Sequence, residues 1–394
     1  MTHVRISGVR PLGGPPRDLH IMDGRFTDEA PATATDVVDG AGLLALPAPV
    51  DAHIHPDKTT WGGGWLSREP AASLGDLIAY DASVRAGMAP VADRAGALID
   101  RAVTRGTRAM RAHVDVAPQY GQANVHGVRQ AAEARAGLVD VQIVAFPQIG
   151  VLTAPGTAAL LEQAVDEGAD LVGGLDPVGV DGDRDGQLDL LFDLAERRGV
   201  PLDIHLHDGG EAGLAQITEI ARRTAALALH GRVTVSHAFC LADAPAAALD
   251  KTAALLGEAG VAVTTCALGA DPVVPIGPLT AAGVRVALGS DGVRDPWTPF
   301  GDGDMINRAH LLAYRTDART DAELAACYTL AADAGAELLG LERCAFRPGD
   351  PADFVLVDAE SVAQAVVDRP LPRFVVHGGA VVARDGALVE GVAR

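Results

Sequence analysis

The chain has 394 residues, of which 48% are hydrophobic, 21% charged and only 4% aromatic. Apolar residues occur throughout, which excludes a largely disordered chain. The longest apolar runs, such as 45–50 and 261–263, fall far short of the roughly 20 residues that a bilayer-crossing helix needs. With 32 Lys plus Arg against 52 Asp plus Glu, the formal charge of -20 disfavours nucleic acid and anionic membranes as partners.

No charged segment followed by an apolar one opens the N-terminus, so the expected address is the cytoplasm. Residues 1–48 read as short strands and turns (VRISGV, DLHIMDGRF, TDVVDGAGLLAL), and residues 345–394 do the same (DPADFVLVDA, RFVVHGGAVVARDG). Two β-rich ends around a long middle predict one small β-sandwich domain built from both termini. The middle, 49–344, alternates strand-like runs with alanine-rich amphipathic stretches. The strand ends are VDAHIHPD, MRAHVDV, VQIVAFPQ, DLVGGLDP, PLDIHLHD, VTVSHAF, VAVTTC and VRVALGSD. Helical stretches are expected at 71–105, 125–136, 157–167, 188–198 and 213–229. Eight such repeats predict a (β/α)8 TIM-like barrel in the α/β class. A doubly wound sheet is the rival, but it would want a G-x-G-x-x-G turn after its first strand, and none is present there.

Barrel active sites lie at the C-terminal ends of the strands. Those ends carry His53 and His55, His113 and Asp115, Gln148, Asp176, His205 and His207, His237, and Asp291. Packing alone gives apolar core strands no reason to finish in polar groups. His53 and His55 are two apart, so on a strand both point to one face. Such a pair, joined by His205, His237 and Asp291 from other strands, reads as a site for one divalent metal. His205 and His207 share the spacing, so one can ligate while the other stays free to move protons. His113 and Asp115 fit either structural hydrogen bonding or substrate contact. His3, His20, His126, His230, His310 and His377 fall on surface or terminal segments and receive no role.

Residues 181–189 match the first nine positions of a calcium loop. The twelfth position is Phe192 rather than the bidentate Glu, and a strand rather than a helix precedes it, so a solvated helix-capping loop is expected. Cys240, Cys266, Cys327 and Cys344 lack any C-x-x-C pairing and read as buried free thiols.

Asp51-Ala-His-Ile-His55, a later strand histidine, SHA and SD together resemble the amidohydrolase superfamily. The stretches AHVDV, QIVAFPQIG, VTVSHAFC and DPWTPFGDGDM resemble its cytosine deaminase-like branch. DAHIHPDK, DLVGGLDP, DIHLHD, SHAFCLADAP and PFGDGDM are similar to the N-isopropylammelide isopropylaminohydrolases within that branch. The resemblance runs nearly end to end. It implies one divalent metal, with zinc first and iron or manganese tolerated, held by His53, His55, His205 and Asp291, and with His237 beside the metal's water. A two-metal relative would bridge its ions with a lysine on the fourth strand, where this chain has Asp176 and no lysine. In the cytosine deaminases a Glu three residues after the third metal histidine is the general acid. This chain has Asp208 there, and His207, which the strand period aims inward, is preferred as the proton carrier. A second departure is Gly292, where relatives carry an acidic or amide side chain that helps hold the ring.

The implied reaction removes an exocyclic amino or alkylamino group from a nitrogen heterocycle, triazine- or pyrimidine-like, such as N-isopropylammelide or cytosine. Hydroxide generated on the metal attacks, Asp291 and His237 handle the water's proton, and His207 or Asp208 protonates the ring. Gln148 is expected to meet the ring's amide edge, Lys58 an anionic ring oxygen, and Asp176 either a ring N–H or His205. Trp297, with Trp61 and Trp65, flanks the mouth as a candidate stacking residue. Cyclic-amide or N-acyl hydrolysis on the same barrel is the alternative, and a non-enzymatic barrel module is a third reading. The resemblance also implies a homo-oligomer.

Overall fold

The computed structural model describes residues 3–29, 36–68, 70 and 74–391. Five strands come first: β1 (His3–Pro11), β2 (Arg17–Met22), β3 (Arg25–Thr27), β4 (Asp36–Asp39) and β5 (Leu44–Pro47). Eight follow in the middle: β6 (Val50–Ile54), β7 (Ala109–Asp115), β8 (Asp140–Phe146), β9 (Leu171–Leu175), β10 (Leu202–Leu206), β11 (Val233–His237), β12 (Ala262–Thr265) and β13 (Val286–Leu288). The chain closes with β14 (Phe354–Val357), β15 (Phe374–His377), β16 (Ala380–Arg384) and β17 (Ala387–Leu388).

Strands β6 to β13 pair in chain order and every pairing is parallel. A parallel bridge between Ile54 and Asp291 joins the first strand to the end of the last, which closes a (β/α)8 barrel. Helices cover the outside and side chains fill the inside. Strands β6, β7 and β9 to β13 are accordingly buried at every position, and they read in the sequence as apolar runs.

One predicted element differs. The helical stretch 71–105 is two helices, Leu74–Arg85 and Val91–Thr104, and its residues 71–73 lie outside the described ones. The residue before a proline is biased away from helical backbone. Pro90 itself stands at the second helix's N-cap with φ -50° and ψ 145°.

The terminal strands form one nine-stranded sheet in the order β17-β16-β15-β14-β5-β1-β2-β3, with β4 paired to β1. The two chain ends meet where β5 runs antiparallel to β14. The sheet curls over a shared core in which the rings of Phe26, Phe346 and Phe354 lie 5.5–5.7 Å apart among Val4, Ile6, Ile21 and Val376. Arg108, just before β7, donates to Asp353 Oδ2 at 2.7 Å, and the Tyr328 hydroxyl donates to the Pro47 carbonyl at 2.7 Å. These contacts fasten the sheet to the bottom of the barrel. All four cysteines are buried free thiols. Among the described residues, no helix is long and apolar enough to cross a membrane.

Candidate metal centre and active site

The barrel interior is polar in layers set by the strand period of two. In the lower layer Arg111 donates to Asp203 Oδ2 at 2.9 Å and to Thr234 Oγ1 at 3.1 Å. Two residues further along the strands come His53, His113, His205 and Ser236, with the His113 ring stacked on His53 at 3.9 Å between centroids. The mouth carries His55, Asp115, His207, His237 and Asp291. His237, Asp291 and Asp176 have φ of +70°, +59° and +34°, values that non-glycine residues adopt rarely. The backbone at three strand ends is thus bent so that their side chains face the centre.

Four groups converge. His55 Nε2 lies 3.3 Å from His53 Nε2, 3.4 Å from His205 Nε2 and 3.2 Å from Asp291 Oδ1. Tetrahedral ligands at zinc-type bond lengths are themselves about 3.3–3.4 Å apart. His53 Nε2 stands 3.7 Å from Asp291 Oδ1, and His237 Nε2 stands 3.9 Å from Asp291 Oδ2. Protonation supports the same reading. Burial, with His113 adding to it, holds His53 well below its usual pKa, and burial with His53 does the same to His205. Burial and then His207 push His237 down to about 3. Burial alone would raise Asp291, but the hydrogen bond with His55 and the charges of His237 and His53 outweigh it and keep the carboxylate ionised. Neutral imidazoles around one carboxylate are the donor set that a divalent cation requires.

A relay fixes one tautomer. Ser236 Oγ donates to Asp203 Oδ1 at 2.7 Å, so its lone pair is free to accept Nδ1–H of His53 at 2.9 Å. His53 Nε2 is left with an open lone pair facing the centre.

His207 and Asp176 form a second unit. His207 Nδ1 donates to Asp176 Oδ2 at 2.7 Å, while Asp176 Oδ1 accepts the backbone N–H of His207 at 2.5 Å and of Asp208 at 3.2 Å. Desolvation opposes the charged ring, but Asp176 outweighs it and the His207 pKa is raised. The His207 ring stacks on His237 at 4.4 Å and keeps an exposed face toward the mouth. The Asp176 carboxylate therefore orients His207, and its residue meets His205 through the backbone, N–H to the His205 carbonyl at 3.0 Å. Asp208 is not brought to the centre: its Oδ2 accepts from Gly179 N at 2.8 Å and Gln216 Nε2 at 2.9 Å.

On the opposite side Lys58 is buried rather than an exposed loop lysine. Its Nζ donates to Gln148 Oε1 and pairs with Asp115 Oδ1 at 3.2 Å. It lies 5.3 Å from the Phe146 ring and 5.5 Å from that of Trp297. Burial works against its charge, and Asp115 with Asp57 outweighs it, so the pKa is raised. Arg85 binds Asp115 Oδ2 at 2.8 Å, Asp81 at 3.0 Å and Asp57 at 3.6 Å. Trp61 is half-buried beneath Arg294, and Trp65 is exposed.

The residues that sequence reasoning missed are Asp57, Arg85, Asp203 and Ser236. Asp203 carried a usable signal, because Asp203, His205 and His207 share one strand face at a spacing of two. Arg85 carried none, since a helix outside the barrel delivers it. Residues 181–189 behave as the helix-capping loop expected: Asp183 Oδ1 accepts Gly186 N at 2.9 Å at the start of helix Arg184–Arg198.

The sequence profile of the amidohydrolase family matches residues 36–383. The chain belongs to the amidohydrolase family. It is 33% identical over 366 residues to N-isopropylammelide isopropyl amidohydrolase of Pseudomonas sp. (strain ADP), covering 91% of this chain and 90% of the other. The crystal structure of N-isopropylammelide isopropylaminohydrolase from Burkholderia multivorans superposes with a TM-score of 0.94 at 42% identity, over 99% of this chain and 100% of that one. 5-Methylcytosine deaminase from Klebsiella pneumoniae shares the fold, with a TM-score of 0.84 at 24% identity over 99% and 100% of the two chains. This amidohydrolase is a hydrolase of C–N bonds with a histidine and aspartate centre able to hold a metal.

Proposed function

We propose that this amidohydrolase cleaves the bond between a ring carbon and an exocyclic amino or alkylamino nitrogen on a triazine- or pyrimidine-like heterocycle. N-Isopropylammelide is the first candidate substrate. The observation that carries this reading is the convergence of His53, His55, His205 and Asp291 beside a His207 ring already oriented by Asp176. The relatives at 33% and 42% identity carry that substrate in their names, which favours it over cytosine.

His53, His55, His205 and Asp291 would hold one divalent ion, zinc first, with iron or manganese also compatible with these donors. When bound, such an ion supplies Lewis acidity that brings the pKa of water from 15.7 toward about 7. The protein's own groups do the rest. Asp291 Oδ2 and His237 Nε2, 3.9 Å apart, take the proton that the attacking water releases. His207 passes a proton from Nε2 to a ring nitrogen, because its Nδ1–H is committed to Asp176. The water oxygen bonds to the ring carbon, and the proton taken from the water passes to the exocyclic nitrogen as its C–N bond breaks, so that it leaves as ammonia or an alkylamine. The new hydroxyl returns its proton to His207 as the ring carbonyl forms. Lys58 and Gln148 orient the ring through charge and amide hydrogen bonding, with Trp297 on the adjoining wall. Asp208, occupied by Gly179 and Gln216, serves the loop rather than the chemistry. A cytoplasmic homo-oligomer is the form in which we expect this activity.

The test is release of ammonia and alkylamine from cytosine, isocytosine, ammelide, N-isopropylammelide and aminopurines by metal-replete protein. One strong responder fixes the ring and the leaving amine. Silence across the panel, with about one metal per chain verified, would sink the proposal and favour amide hydrolysis.

A further inference from the structure

We infer that Asp295 is a specificity-determining residue of this site, its Oδ2 filling the space that Gly292 leaves open beside Asp291 and accepting a ring N–H of the heterocycle. The inference rests on the ring-hydrolase reading above and names the group that selects the ring's edge.

Three observations lead to it. A Cβ placed on Gly292 would lie 2.2 Å from Asp295 Oδ2 and 3.0 Å from its Cγ, so only glycine at 292 leaves the carboxylate where it is. Asp295 is 1% exposed, and its two oxygens are treated differently. Oδ1 accepts the backbone N–H groups of Trp297 and Thr298, each at 2.8 Å, whereas none of the hydrogen bonds among the described residues ends on Oδ2. Within this buried residue, an oxygen without a donor of its own is open to a donor from a ligand. Burial pushes Asp295 up to about 6, with Lys58 among the groups that oppose the shift and Asp291 among those that add to it.

The turn that holds this oxygen is braced from behind and faces the substrate groups in front. Thr60 donates through its N–H and hydroxyl to the Arg294 carbonyl at 2.7 and 2.6 Å. Arg68 Nε donates to the Asp295 carbonyl at 2.8 Å. In front, the Trp297 ring lies 5.5 Å from Lys58 Nζ, which donates to Gln148. A fixed acceptor in this wall complements a cationic donor in Lys58. A ring that presents N–H to Asp295 and oxygen to Lys58 is accepted, and the reversed arrangement leaves both buried charges facing like partners.

Asp295→Asn separates this role from a merely structural one. The amide oxygen can still cap Trp297 and Thr298, but the other end now presents a donor where the ligand needs an acceptor. Gly292→Ala moves the same oxygen by a different route. The measurement is calorimetric titration of cyanuric acid, a ring rich in N–H groups, into zinc-loaded wild type and both variants. Metal content, thermal midpoint and the kcat and KM for N-isopropylammelide are read in parallel. Both variants are expected to keep their metal, Asp295→Asn to keep its midpoint as well, and both to bind cyanuric acid about 10- to 100-fold more weakly and to raise KM in proportion. Wild-type affinity and KM in Asp295→Asn would overturn the inference and leave Asp295 as a turn cap. A wild type that binds no ring and releases no amine would overturn the ring-hydrolase reading itself, and this assignment with it.

Discussion

Histidines two apart on a strand supply three of the four converging groups, and in the proposed reaction His53, His55 and His205 hold an ion while His207 moves a proton. His53→Ala is expected to lose metal and turnover together, because Nε2 of His53 lies 3.3 Å from that of His55 and stands among the converging ligands. His207→Ala should keep its metal while kcat falls roughly 10²- to 10⁴-fold, the span that general acid–base catalysis contributes. Asp208→Ala should leave kcat near wild type and cost stability of about 1 kcal/mol through the bonds lost to Gly179 and Gln216. Metal analysis with steady-state kinetics decides the matter, and the opposite pattern between residues 207 and 208 would reverse the assignment. The inward direction of His53, His55, His205 and His207 was legible because a strand alternates with a period of two. The Ser236–Asp203 relay behind His53 was not, since it depends on which strands face each other across the barrel. His237 was placed at the mouth as a strand end, but the period did not give its inward direction, because its φ of +70° breaks the alternation at the last residue.

Among the elements, the eight strands were legible because burial on both faces leaves an apolar run, and the polar ends marked the mouth. The helical stretch 71–105 was misread as one element because its alanine-rich pattern continues through Gly87 and Pro90. That break matters, for it ends the first helix at Arg85, whose guanidinium reaches Asp57, Asp81 and Asp115 behind Lys58. Arg85→Ala leaves buried carboxylates uncompensated and should cost about 3–5 kcal/mol in urea unfolding. A loss below about 1 kcal/mol would show that the cluster relaxes or takes up protons instead. The helix Met305–Arg315 makes a pH-dependent prediction. Its N-cap, Asp304, accepts Ile306 N at 2.9 Å and Asn307 N at 3.2 Å, yet burial, reinforced by Asp302, pushes its pKa up to about 6 from the ordinary 3.8. The native state then holds the proton more tightly than the unfolded chain, so this group's contribution is fullest below pH 4. It is lost as pH rises through 6, at a cost of about 3 kcal/mol. Asp304→Asn keeps an oxygen for the cap and drops the charge. The variant should be the more stable protein at pH 8 by about 1–3 kcal/mol, with the difference vanishing toward pH 4. Equal urea midpoints at both pH values would refute this account.

Across the whole molecule the barrel has one seam. Strands β6 and β13 form no extended ladder, and they meet through Asp291 N to the His53 carbonyl at 2.7 Å and His55 N to the Asp291 carbonyl at 3.4 Å. Their approach requires Gly289, where a Cβ would lie 2.5–2.7 Å from His53 Cβ, N and O. The same strand ends carry His53, His55 and Asp291, so an ion held by these side chains ties the first strand to the last. Chelation should therefore do more than stop turnover. It should lower the free energy of unfolding by the linked binding term, about 4 kcal/mol where the ion stands at a thousand times its Kd, and the thermal midpoint with it. The loosening should concentrate at the seam, with amide exchange rising at residues 52–55 and 289–292 before it rises along β8 and β9. His205→Ala gives the control, because it removes a ligand on β10 and leaves the seam's own bonds intact. Its exchange pattern without metal should match that of the chelated wild type. Uniform exchange around the whole barrel after chelation would mean that the ion adds global stability without acting as a clasp.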